Sequence, residues 1–351
     1  MDVLSSGRLT YGKWSREFER RWAAMHHRKF AVFVNSGTDA LRIGLAAMKE
    51  KYGWKAGDEV LVPALTFVSS VNAILQNNLW PVLVDVEPDY YSMASVAIAR
   101  PMAVMPVHLF GQASPRHGSL PSIVDSCETV GVPGCAEGDV SCFSTYACHL
   151  INTGVGGMAT TNDPDLAALL RSYANHGRSG VYTGIDDALG QYEVIDARFK
   201  FERVGYSSRA TEMEAAIGCA ALDEWDENLR RRRQNAEALF AALSDLPLAL
   251  PKVRPGAEHS WMMYPIRAEN RAIRDRLVQH LEANGIETRY LLPLTNQPYI
   301  KAIFGDIEDE YPVAKMCNET GFYIGCHQHL DAGDIAYVAE VFHESYGGSN
   351  G

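Results

Sequence analysis

The stretch GDVSCFSTYACHLINTGVGGMATTND (138–163) carries two apolar, strand-like pieces, SCFSTY (141–146) and GGMATT (156–161), on either side of a turn that bears Gly154 and Gly156. Upstream, short apolar runs alternate with helical text. Trp14 to Met25 is amphipathic, AVFV (31–34) is a short apolar run, Asp39 to Lys51 is helical, and EVLVP (59–63) is strand-like. Ala73 to Asn77 reads as the end of a short helix, and PVLVDV (81–86), AVMPV (103–107) and SIVDS (122–126) read as buried strands. Short strands separated by helices predict an α/β fold with a mostly parallel central sheet flanked by helices on both faces.

Downstream the strands thin out, and a long helical stretch from Glu212 to Leu243 closes a large domain expected over 14–245. From Pro247 the text reads as a small α+β domain, with a strand near Met262 to Ile266, a helix from Asn270 to Asn284 and a last helix from Gly333 to Tyr346. This domain is expected to span 246–346 and to include 1–13. No internal repeat shows, and the tail GGSNG (347–351) is expected to be disordered.

Composition narrows the functional classes. With 351 residues and 47% hydrophobic content the chain can bury one large core and a smaller one. A formal net charge of −11 would repel a phosphate backbone, and no run of Lys and Arg interleaved with aromatics appears, so nucleic acid is not an expected partner. No apolar run approaches the roughly 18–20 residues a spanning helix needs, and MDVLSSGRLTYGKW lacks the layout of a signal peptide. A cytoplasmic location is expected. The seven cysteines (127, 135, 142, 148, 219, 317, 326) are odd in number and contain no C-x-x-C pair, which suits free thiols in a reducing compartment.

Three places could carry chemistry. NSGTDAL (35–41) sets Ser-Gly-Thr between an apolar run and a helix, so the N–H groups of Gly37 and Thr38 could face an anion with the helix dipole behind them. An ordinary helix cap reads the same way. Asp125 ends an apolar strand, where open α/β sheets bind ligands, and could pair with a pyridinium nitrogen; a capping aspartate is the alternative. The third place is the opening stretch itself, with Ser144 near its start and His149 five residues on.

That stretch resembles the Ser-Phe-x-x-x-Lys segment, followed by Gly-Glu-Gly-Gly, of the DegT/DnrJ/EryC1/StrS sugar aminotransferases, which are pyridoxal-phosphate enzymes of fold type I. The resemblance continues in order through PALTFVSSVNAIL (63–75), VHLFGQ (107–112), RVGYSSRATEMEAAIG (203–218) and IETRYLLPLTNQPYI (286–300). It implies the aspartate-aminotransferase architecture, a bound pyridoxal or pyridoxamine phosphate, a nucleotide-sugar substrate, an amino donor such as glutamate, and a homodimer with shared sites. It places the phosphate at Ser144, Gly37 and Thr38, the ring under Phe67 and against Asp125, and Ser207 or Arg209 at the partner's cofactor.

The position of the Schiff-base lysine is His149, and no lysine occurs between Lys55 and Lys200. An imidazole cannot condense with an aldehyde as an amine does. Within the family a histidine here resembles the branch of GDP-4-keto-6-deoxymannose 3-dehydratases, as do Glu128 in DSCETVG (125–131), LTNQP (294–298) after Arg289, and FYIGCHQHLDAGDI (322–335). That implies an untethered cofactor, His149 as acid/base, and loss of the sugar's C3 hydroxyl. Its rivals are transamination or other pyridoxal-phosphate chemistry on a different amine or amino acid, and a non-catalytic cofactor-binding homologue. Leu150, Val155 and Ser207 depart from the branch's wording. Cys326, His327 and His329 invite a metal, yet no fourth ligand is spaced nearby; His327, His329 and Arg289 are expected to face substrate, the two histidines sharing a face of a strand.

Overall fold

The apolar runs of the first half become strands buried on both faces, as a sheet covered by helices on each side requires. In the computed structural model, which describes residues 2–95, 101–179, 199–291 and 294–347, α1 (Asp2–Ser6) and α2 (Lys13–Met25) precede β1 (Phe30–Val34). Then come α3 (Gly37–Tyr52), β2 (Glu59–Pro63), α4 (Val68–Gln76), β3 (Trp80–Val84), β4 (Ala103–Val104), β5 (Ile123–Asp125), β6 (Val140–Ser144), β7 (Gly157–Thr161) and α5 (Pro164–Ala174). Strands β3, β2 and β4 are mutually parallel, as are β5 and β6, and parallel bridges Val104–Ser122 and Val107–Asp125 join the two groups. The order is therefore β3-β2-β4-β5-β6-β7-β1. Only β7 runs against both of its neighbours. A turn, not a crossover helix, joins β6 to β7, and such a connection leaves antiparallel pairing as the outcome.

Local sequence explains the helix ends. Ser36 caps α3 through its hydroxyl on the Asp39 N–H, and Gly53 closes it in the left-handed region at φ 69°. Asp163 caps α5, with Pro164 at its first position. The stretch 212–243, expected as one helix, is two: α6 (Glu212–Asp223) opens on a capping box of Thr211 and Glu214, and α7 (Trp225–Leu243) follows a break at Glu224.

The remainder holds β8 (Met263–Arg267), α8 (Arg271–Ala283), β9 (Thr288–Tyr290), α9 (Pro298–Phe304), α10 (Pro312–Thr320), β10 (Gly321–Gly325) and α11 (Ala332–Gly347). Strands β8, β10 and β9 form an antiparallel sheet in that order. One face of it, carrying Tyr264, Ile266, Phe322 and Ile324, buries against Leu277 and Leu281 of α8, Val341 and Phe342 of α11, and Ala236, Leu239 and Leu243 of α7. The C-terminal half of α7 thus belongs to the core of the small sheet, while Trp225 at its start packs with the large one. A boundary at 245 falls after that half-helix. Residues 348–351, most of the expected tail, lie outside the described residues.

The N-terminal segment is not part of the small sheet's core, where the sequence reading grouped it. The buried carboxylate of Glu212 accepts the N–H groups of Gly12, Trp14 and Ser15 and the Ser15 hydroxyl, and its own N–H donates to Leu9 O. This fastens the segment before α2 onto α6. Removing the acceptor leaves buried donors unsatisfied, so Glu212→Ala should lower unfolding free energy by about 3 kcal/mol in a denaturant titration. Stability within about 0.5 kcal/mol of wild type would show that the segment is not held there.

Candidate active site

The ends of β1, β5 and β6 meet at one point. Beyond β1 the chain turns at Asn35–Ser36 into α3, Ser36 pairs in parallel with Gly156 before β7, and β6 ends at Ser144. Main chain packs so closely here that a Cβ on Gly37 would stand 2.8 Å from Cys127 Sγ and 2.9 Å from Ser144 Cβ. The first turn of α3, with Gly37 and Thr38, therefore faces Ser144 across a narrow cradle, with the positive end of the helix dipole toward it. This is the C-terminal end of the parallel strands, where open α/β sheets hold ligands.

Asp125, one strand over, is buried; its carboxylate accepts the Ser70 hydroxyl at 2.7 Å and the Cys127 N–H at 3.1 Å. Burial raises its pKa, and among the described residues no cation is paired with it. A buried anion without a counter-ion is what a protonated ring nitrogen would complete. One helical turn before Ser70, whose hydroxyl Asp125 accepts, Phe67 stands at the N-terminus of α4 with 57% of its surface exposed. Glu128 accepts the Phe110 N–H at 2.8 Å, and burial pushes its pKa up to about 7.

His149 lies in the turn after β6, its N–H donating to Tyr146 O at 2.8 Å and its Nδ1 3.7 Å from Cys148 Sγ. Loss of hydration pushes its pKa down to about 4, so the imidazole is neutral near pH 7. Cys148 and Tyr323, from β10 of the small sheet, both feel the charge of Glu128, and Tyr323 also feels Arg289. The crevice between the two sheets thus gathers Glu128, Cys148, His149, Tyr323 and Arg289.

Other expected residues lie at its edges. Ser207 pairs with Asn175 and Arg209 with Val34 through their main chains; both side chains are exposed, and the Arg209 guanidinium is 3.3 Å from His176 Nε2. Arg289 is exposed and ion-paired with Glu287. His327 and His329 are not on a strand: β10 ends at Gly325, and both lie in the turn beyond, rings 6.0 Å apart. Their hydrogen bonds run to each other, to Gln328, to Leu330 and to Asn235, and none reaches Ser144, Asp125 or His149 among the described residues. Among the described residues no group of three or more His, Cys, Asp or Glu is placed to hold a metal ion, and no helix is long and apolar enough to cross a membrane.

Sequence reading missed Ser70, Cys127 and Tyr323. Two serines inside the apolar helix VSSVNAIL (68–75) were the available signal for Ser70, since a buried hydroxyl needs a partner. Tyr323 had none, because its approach depends on how the small sheet is docked.

A cradle closed to any Cβ, a buried unpaired carboxylate and an exposed aromatic one helical turn from the serine that donates to that carboxylate fit the phosphate, ring nitrogen and ring face of pyridoxal phosphate. The fold and site define a pyridoxal-phosphate enzyme of fold type I, of the aminotransferase-like kind. The model of the DegT/DnrJ/EryC1/StrS aminotransferase family matches residues 1–343, and the chain belongs to that family. It is 32% identical over 352 residues to a GDP-perosamine synthase of Caulobacter vibrioides, covering 93% of this chain and 88% of that one. It is 28% identical to a GDP-4-keto-6-deoxy-D-mannose 3-dehydratase of Escherichia coli O55:H7, covering 97% and 94%. The solved structure of an E. coli GDP-4-keto-6-deoxy-D-mannose-3-dehydratase with bound hydrated pyridoxal phosphate superposes with a TM-score of 0.86 at 25% identity, over 97% of this chain and 94% of that one.

Two measurements check this geometry. Gly37→Ala should weaken pyridoxal-phosphate binding roughly 5- to 150-fold in an absorbance titration, since overpacking costs about 1–3 kcal/mol; unchanged affinity would remove the cradle from the cofactor's path. An NMR titration should show one imidazole, missing from His149→Asn, with its midpoint near 4. A midpoint at the ordinary value of about 6.5 would mean that His149 is fully hydrated.

Proposed function

We propose that this protein is a dehydratase that removes the C3 hydroxyl of a nucleotide-linked 4-keto-6-deoxyhexose, with His149 as its acid/base. The observation that carries the reading is the turn after Ser144, which presents a neutral imidazole and, among the described residues, no lysine. Lys200, the nearest in sequence downstream, has its ammonium exposed and 3.5 Å from Glu202. In this reading the cofactor is held without a covalent tether. The first turn of α3 and Ser144 hold the phosphate, Asp125 the ring nitrogen, Phe67 the ring face and Glu128 the ring's polar edge.

Pyridoxamine phosphate, when bound, supplies an amine for the sugar's ketone and a ring that accepts electrons. The residues handle protons around it. Asp125, ionised in the presence of a cation, keeps the ring nitrogen protonated. His149, neutral above about pH 4, can take a proton from the cofactor's C4′ carbon and, once protonated, deliver it to the departing C3 oxygen. Without a lysine to recapture the cofactor, the route that completes transamination loses its usual partner. Glutamate is then the amino donor that recharges it.

A second reading, transamination to an amino sugar, is favoured by the similarity to GDP-perosamine synthases. Two further proposals concern the assembly. The exposed Phe199, Phe201, Val204, Met213 and Ile217 flank Ser207 and Arg209 in sequence, which supports a homodimer in which those two residues serve the partner's cofactor. All seven cysteines are unpaired, which supports the reducing, cytoplasmic compartment expected from the sequence.

One assay separates the two reactions. With pyridoxamine phosphate and a GDP- or dTDP-linked 4-keto-6-deoxyhexose, dehydration yields ammonia and a sugar without its C3 hydroxyl. An amino sugar retaining that hydroxyl would overturn the proposal. His149→Asn should lower the rate by about 10²–10⁴, and borohydride treatment of wild type with pyridoxal phosphate should leave no lysine covalently modified.

A further inference from the structure

The small sheet has two faces, and only one is accounted for by its own core. Tyr264, Ile266, Phe322 and Ile324 point into that core. Strand alternation sends Met263, Pro265 and Tyr323 to the other face, where Met263 and Tyr323 pack against the large domain's core. Register places Tyr323 directly opposite Arg289 on β9 and Pro265 on β8, so the phenol and the guanidinium leave the sheet on the same side. On this side Tyr323 lies within electrostatic reach of Glu128 and Cys148, and Cys148 is next to His149.

The Tyr323 hydroxyl has no hydrogen-bond partner among the described residues. Unlike the hydroxyls of Tyr264 and Tyr299, it is not sealed from solvent. A donor placed there without a partner gains nothing for the fold and is free for a ligand.

We propose that Tyr323 is a specificity-determining residue for the substrate reading given above, its hydroxyl donating a hydrogen bond to a hydroxyl of the sugar ring while Arg289 beside it faces the diphosphate. The sugar falls to Tyr323 because its hydroxyl is the unpaired neutral donor of the two and lies within electrostatic reach of Glu128 and of Cys148, the neighbour of His149. Arg289 is the cation of the pair, and phosphate oxygens are its natural acceptors. Burial, with Glu128 close by, pushes the Tyr323 pKa up to about 12, so the phenol stays a donor across the working range. The position selects for a ring hydroxyl at the matching carbon and against sugars that lack one, which would leave the phenol unpaired in a desolvated site.

The test is Tyr323→Phe, assayed with pyridoxamine phosphate bound. Calorimetry with GDP- and dTDP-linked 4-keto-6-deoxyhexoses should show about tenfold weaker binding of the sugar nucleotide that wild type prefers, one hydrogen bond's worth. Binding of GDP or dTDP alone, cofactor affinity and melting temperature should stay at wild-type values, because the hydroxyl has no partner in the fold. Equal affinities of variant and wild type for the sugar nucleotide would overturn the inference while leaving the substrate reading intact. So would an equal loss for the bare diphosphate. If wild type binds none of these sugar nucleotides, the substrate reading fails and this inference fails with it.

Discussion

The site depends on one steric constraint, the contact of two stretches of bare main chain. Where β1 gives way to α3, Ser36 and Gly37 lie against Gly156 and Gly157; a Cβ on Gly157 would overlap the Ser36 carbonyl and stand 2.5 Å from the Gly37 nitrogen. Glycine at both positions lets the start of α3 sink to the level of Ser144. Because β7 lies between β6 and β1 in the sheet, this contact also fixes how far apart the strands carrying Ser144 and Ser36 end. Asp125 and Glu128 are placed in turn by the pairing of β5 with β6, so an error at the glycine contact would pass to every group of the candidate site.

Burial, more than attraction between charges, sets the electrostatics of the crevice. In Asp125, Glu128 and His149 the largest influence is loss of hydration, and in each it favours the neutral form. The protein carries a formal charge of −11, yet the groups facing this crevice hold back their charges. A zwitterionic ligand, with a phosphate at one end and a protonated ring nitrogen toward the other, restores what folding removes. Arg289, outside the most enclosed part, keeps an exposed ion pair with Glu287.

How much was readable follows from how local each signal is. The strands from β1 to β7 could be placed because each is a short apolar run bounded by helices or turns, and Ser36, Asp125 and Ser144 could be found because they end such runs. The reversal of β7 could not be read from periodicity, since a buried strand reads alike in either direction. Strands β9 and β10 were missed for other reasons: TRY is too short to show alternation, and FYIG, as long as AVFV, was read only as part of the stretch 322–335 that resembles the family. The break at Glu224 hides inside continuous helical text. His327 and His329 were given a strand's geometry one turn too late, because the end of β10 at Gly325 has no strong local marker. His149 was legible only against a family pattern, since nothing in its neighbours distinguishes it from a satisfied core histidine.

The two sheets are stitched by a short seam. Ser260 and Met262 donate to the carbonyls of Gly111 and Phe110, Gln112 bridges His259, and Phe110 and Trp261 hold left-handed backbones at φ 62° and 51°. Such conformations are costly for bulky residues and persist only where surrounding contacts enforce them. Phe110 accepts from Met262 through its carbonyl and donates to Glu128 through its N–H, so the two hydrogen bonds sit on the two peptide units that flank its α-carbon. A single residue is therefore a mechanical lever between the sheets: a tilt of the small sheet pulls on the peptide after Phe110, and the constrained backbone at its α-carbon passes the strain to the peptide before it, whose N–H Glu128 accepts. Movement of the roof is felt as a change of acidity at the floor.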